Sequence, residues 1–119
     1  MNVRPRRSVL YMPGSNARAI EKARTLAADA LILDLEDAVA PDAKAAARQQ
    51  VCEAVRAGGF GRRELLVRIN APDTPWGAED LTAAVAATPE GQALAVATAA
   101  MTATQEYADW RAHFCDTPP

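Results

Sequence analysis

LILDLEDAVAPDAKAAAR, residues 31–48, decides the fold. Its opening run is apolar until Asp34, and Glu36 and Asp37 follow directly. A continuous apolar run suits a parallel strand covered on both faces, and polar residues at its far end sit where α/β folds place chemistry. Pro41-Asp42 restarts the chain, and Asp42 is expected to cap a helix. Ala43 to Ala57 reads as that helix, with Ala47, Val51, Ala54 and Val55 inward and Gly58-Gly59 as its stop.

The same strand-then-helix rhythm extends to both sides. Upstream, SVLYM (8–12) is β-rich and ends at Pro13-Gly14. Ser15 is placed to cap a helix from about Asn16 to Leu26, with Ile20, Ala23 and Leu26 inward. Downstream, ELLVRIN (64–70) reads as a third strand. Pro72 and Pro75 break the chain, and a third helix follows from Trp76 to about Ala87. The alternation predicts right-handed crossovers and a parallel sheet, either an open doubly wound sheet or part of a (β/α)8 barrel. In both, the ligand end is the C-terminal edge of the strands.

Composition narrows the function classes. The 119 residues carry 13 Lys and Arg against 15 Asp and Glu, a net charge of −2, so neither nucleic acid nor an anionic membrane is expected as partner. The apolar run near the N-terminus is far shorter than the roughly 20 residues of a membrane span. Cys52 and Cys115 fit no metal spacing, and a reduced, cytoplasmic setting is expected. His113 is the only histidine and supports no triad. Only one basic residue, Arg111, follows Arg68. Beyond Thr82 the chain is rich in Ala and Thr, and no further buried β-rich run is expected there.

Several residues have two readings. Asp34, Glu36 and Asp37 form either a solvated loop or an oxygen-rich site suited to Mg²⁺. Arg68, within a buried strand, pairs either with those acids or with a substrate carboxylate, which Arg can grip with two hydrogen bonds. Arg4, Arg6 and Arg7 are a solvated basic face or a phosphate patch. Lys44 and Arg48, one turn apart, are an exposed face or an anion contact.

RRSVLYMPGSNARAIEKA, DALILDLEDAVAPDAKAAAR and LLVRINAPDTPWGAEDL, in this order and spacing, resemble the start of the citrate lyase beta-subunit family within the HpcH/HpaI aldolase group. Malyl-CoA and citramalyl-CoA lyases belong to that group, and the resemblance covers residues 5–81. It implies the first three βα units of a (β/α)8 barrel of the TIM type in residues 1–87, followed by an atypical tail, helical or disordered, over 88–119. It implies Mg²⁺, an acyl-CoA or hydroxy-acid thioester as partner, a homo-oligomer, and carbon–carbon bond cleavage or formation. Arg68 would bind carboxylate or carbonyl oxygen and stabilise developing negative charge. Glu36 and Asp37 would orient metal-bound water, and Arg6, Arg7 and Lys44 would contact the CoA phosphates. The family's direct metal ligands, a Glu and an Asp, lie on later strands. Glu90, Glu106, Asp109 and Asp116 match no family motif, so no direct ligand is expected in this chain. Three origins fit the tail: a gene truncated or shifted in frame near residue 85, a fragment of a longer protein, or a short relative whose Ala-rich tail is a helical cover. Truncation or frameshift, leaving an inactive chain, is the favoured expectation. A non-catalytic CoA- or anion-binding or oligomerisation module is the alternative.

Overall fold

In the computed structural model, residues 6–88 are described in full and 95–98 by their backbone. The elements run β1 (Val9–Pro13), α1 (Ala17–Ala23), β2 (Ala30–Asp34), α2 (Lys44–Ala57), β3 (Glu64–Ile69), α3 (Gly77–Ala87) and β4 (Ala95–Thr98). The four strands pair in parallel in the order β1-β2-β3-β4. A doubly wound sheet reverses its strand order partway across. Strictly sequential parallel pairing is instead the winding of a (β/α)8 barrel, so the chain is α/β with the opening units of such a barrel.

Alternation along each strand sorts the side chains into two faces. Leu31 and Leu33 of β2 and Val67 and Ile69 of β3 are buried on the face carrying the helices, where they meet Ile20, Ala23, Ala47, Val51 and Val55. Burying each large aliphatic side chain stabilises the fold by about 1.5–3 kcal/mol. The stripe expected on α2 is the buried one, and Cys52 is buried with it. Tyr11, Asp34 and Arg68 share the opposite face, one residue from each of the first three strands. On β1 this face is open, with Tyr11 56% exposed.

Three local expectations are corrected. Asn16, not Ser15, caps α1, because its side-chain oxygen accepts the Ala19 amide at 3.0 Å. Asp42 does not cap α2: Pro41–Ala43 forms a 3-10 turn that runs straight into the helix, with Ala43 at the cap position. Third, the sheet gains a fourth strand beyond Thr82. Ala95–Thr98 pairs with Leu66–Ile69 of β3. Its Ala-Val-Ala-Thr sequence carries little β signal of its own, and the backbone edge of β3 supplies the partner. His113, Cys115, Arg4, Arg111 and the acids Glu90, Glu106, Asp109 and Asp116 lie outside the described residues.

Candidate active-site rim

Parallel pairing puts Asp34 opposite Arg68. From adjacent strand ends, Arg68 Nε donates to Asp34 Oδ1 at 2.8 Å and Nη2 donates to Oδ2 at 2.7 Å. This two-pronged pair matches the planar fork of guanidinium to carboxylate. Asp34 is 2% exposed, so an unpaired charge there would be costly. Its carboxylate also accepts the amides of Glu36 at 2.9 Å and Ala38 at 3.2 Å, which curls the chain back over the strand end.

That curl answers why an apolar strand runs into a cluster of acids. It carries Glu36 and Asp37 to the same guanidinium: Glu36 Oε1 is 3.7 Å from Nη1, and Asp37 Oδ2 is 3.5 Å from Nη2. One cation therefore stands among three carboxylates, while the Tyr11 ring lies 5.1 Å from its centre. Arg68 Nη1 has no hydrogen-bond partner among the described residues.

Burial pushes the Asp34 carboxyl up, but hydrogen bonds from Arg68 and the Glu36 amide, with the guanidinium charge, outweigh it and hold it below the usual carboxylate range. The hydrogen bonds to Asp34 raise the Arg68 pKa against the opposing effect of burial. Both groups are ionised throughout the neutral range.

Behind the rim lies a second polar set. Lys44, 6% exposed, donates from Nζ to the carbonyls of Leu35 at 3.0 Å and Glu36 at 2.7 Å, with its ammonium 5.2 Å from the centre of the Trp76 ring. Asn70 donates to the Leu35 carbonyl at 2.9 Å and to Asp80 Oδ2 at 2.6 Å. Arg48 Nε donates to Asp80 Oδ1 at 2.7 Å, and Nη1 reaches Glu79 at 2.8 Å. Among the described residues, no buried side-chain polar atom lacks a partner. Asn70 is expected at this strand end with Arg68; Asp80, on α3, is the contributor that sequence reasoning did not assign to the site. A buried position for Asp80 on the inner face of α3 was the available signal.

The structure brings together Glu36, Asp37 and Arg68, with Lys44 directly behind them. It does not bring Arg6 and Arg7 there. Both precede β1, at the N-terminal edge of the sheet, and pair with acids of that edge: Arg6 with Glu64, and Arg7 with Asp29 at 3.2 Å. The hydrogen bonds from Arg7 hold the Asp29 carboxyl down at about 2.

Among the described residues no three His, Cys, Asp or Glu converge as a metal-binding group. Asp34 has both oxygens engaged. Glu36 and Asp37 keep carboxylates that can accept hydrogen bonds from water, and they do not by themselves enclose a cation.

Parallel βα units with a charged rim at the C-terminal strand ends define the opening units of a (β/α)8 barrel. The family model for HpcH/HpaI aldolase/citrate lyase matches residues 7–110, and the chain belongs to this family. It is 54% identical over 79 residues to a (3S)-malyl-CoA thioesterase of Cereibacter sphaeroides, covering 66% of this chain and 28% of that protein. It is 49% identical over 78 residues to an L-malyl-CoA/beta-methylmalyl-CoA lyase of the same species, covering 66% and 24%. Among solved structures it is similar to CitE of Mycobacterium tuberculosis in complex with magnesium, acetoacetate and coenzyme A. That match has a TM-score of 0.55 and 37% identity, over 71% of this chain and 30% of the other. The citrate lyase beta subunit of M. tuberculosis with oxaloacetate and magnesium matches at 0.55 and 38%, over 70% and 36%. The chain thus spans 24–28% of the length of these curated relatives and 30–36% of these structures.

Proposed function

We propose that this chain carries the ligand-orienting rim of a Mg²⁺-dependent carbon–carbon lyase of 3-hydroxyacyl-CoA thioesters, malyl-CoA being the favoured type. We further propose that these 119 residues bind ligand oxygens without completing the cleavage. The carrying observation is the Asp34–Arg68 pair with Glu36 and Asp37 gathered around it. The magnesium, CoA and keto-acid complexes of structural neighbours support the ligand class.

Breaking the bond between the α and β carbons leaves its electron pair on the thioester as an enolate. The hydroxyl-bearing carbon becomes a carbonyl as a base takes the hydroxyl proton, and a proton delivered to the enolate carbon gives the released acyl-CoA. Arg68 is held rigidly by Asp34 and offers Nη1 to a carboxylate or carbonyl oxygen, stabilising negative charge without proton transfer. Glu36 and Asp37 would accept hydrogen bonds from water held by Mg²⁺, and they balance the guanidinium. When bound, Mg²⁺ supplies a Lewis acid for the developing oxyanion. Completing the reaction calls for direct metal ligands, and the described residues offer no such set.

The test is paired. With malyl-CoA and Mg²⁺, the chain is expected to release no acetyl-CoA. Equilibrium dialysis is expected to show retention of oxaloacetate, with or without Mg²⁺, that Arg68→Met removes. Acetyl-CoA release would overturn the binding-only reading, and retention indifferent to Arg68 would overturn the site.

A further inference from the structure

We propose that Lys44 is a positioning residue that clamps the acid-bearing loop in place, and that it makes no contact with ligand phosphate. Its ammonium has three claims on it already. Two are the successive carbonyls of Leu35 and Glu36, and the third is the face of Trp76. Reaching a phosphate would mean giving up two charge-assisted hydrogen bonds from a buried position.

The two carbonyls lie at the point where the chain leaves β2 and turns into the acids. The Leu35 amide donates to the Arg68 carbonyl at 2.9 Å, so this residue is tied to β3 on one side and to Lys44 and Asn70 on the other. Glu36 is held through its amide by Asp34 and through its carbonyl by Lys44. The Glu36 side chain therefore projects from a backbone fixed at both ends, and its distance from Arg68 depends on Lys44, which touches neither carboxylate nor guanidinium. Trp76, at the start of α3, extends the clamp to the loop after β3. Lys44 thus acts on the rim through backbone, and the effect on ligand rests on the function proposed above.

Hydrogen exchange on the 119-residue chain separates this role from a general structural one. Lys44→Met keeps the stem against Trp76 and removes the ammonium. Its Glu36 and Ala38 amides should exchange at least tenfold faster, while those of Leu31 and Val67 keep their rates. Lys44→Arg should restore most of the protection. Oxaloacetate binding should weaken in Lys44→Met, and the affinity for coenzyme A should not change. Unaltered exchange at Glu36 and Ala38, uniform acceleration across the sheet, or a selective loss of coenzyme A affinity would each overturn the proposal. Should Lys44→Met fail to fold, the Nζ signal of the native chain decides. A slowly exchanging ammonium signal unmoved by coenzyme A supports the clamp, and one that shifts on adding coenzyme A, or exchanges as fast as a surface lysine, refutes it. The exchange measurements need no ligand, so failure of the lyase reading alone leaves them intact.

Discussion

Asp34 and Arg68 face each other in register on adjacent parallel strands, and the guanidinium closes on the carboxylate through both its Nε and Nη2 edges. Removing one partner leaves the other charged and largely buried. Arg68→Met is expected to cost about 3 kcal/mol. Arg68→Lys keeps the charge but loses the two-pronged geometry, so it should cost less. The double variant Asp34→Asn/Arg68→Met should cost less than the two single losses combined, giving a coupling above about 1 kcal/mol in urea unfolding. Additive losses would show that the pair does not interact.

The same geometry sets an acid limit. Asp29 is held at about 2 against an ordinary 3.8, chiefly by hydrogen bonds from Arg7, and Asp34 is also lowered. Below the ordinary value the unfolded chain binds protons that the folded chain still refuses, so stability falls with falling pH. The contributions should be complete above about pH 5 and decline progressively towards about pH 1. Asp29→Asn should flatten the slope of stability over that interval, measured by urea unfolding at a series of pH values.

Gly14 stands where a side chain has no room. A Cβ there would sit 2.7 Å from the Asp34 carbonyl oxygen and 2.9 Å from Val51 Cγ2. The Gly14 amide donates to that same carbonyl at 2.7 Å. Gly14→Ala must push β1 from β2 next to the rim, and a loss of about 2 kcal/mol is expected in thermal or urea unfolding. A neutral substitution would mean that the close approach is not needed.

Asp80 joins Arg48 to Asn70 and is 1% exposed. Asp80→Ala leaves a guanidinium and an amide without their shared acceptor, at an expected cost of about 3 kcal/mol. Asp80→Asn keeps the shape and one acceptor oxygen and should cost less. Equal losses in unfolding experiments would show that the retained shape and single acceptor oxygen contribute nothing without the charge.

Much of this was legible in the residues themselves. The apolar run ending at Asp34, the stripe along α2 and the isolated arginine within LLVRIN follow from period and burial cost alone, and their convergence follows from parallel winding. The caps were not legible, because Ser15 and Asn16 are equally able to accept an amide and only the backbone direction chooses between them. β4 was hidden by its alanines, which favour helix until β3 supplies a pairing edge. The separation of Arg6 and Arg7 from the rim is a consequence of where they fall before β1, yet charge composition treats all arginines alike. Lys44 reads from sequence as an exposed cation or an anion contact, because sequence cannot reveal that two carbonyls turn towards it.

Whether Arg68 is the ligand contact is tested most directly by side-chain ¹⁵N resonances during titration with oxaloacetate in the presence of Mg²⁺. The Nη1 signal of Arg68 should shift, while Nε, held by Asp34, moves little, and Arg6 and Arg7 at the other end of the sheet should not respond. An Arg68 that stays unmoved while Arg6 or Arg7 shifts would contradict the account and place ligand binding at the opposite edge.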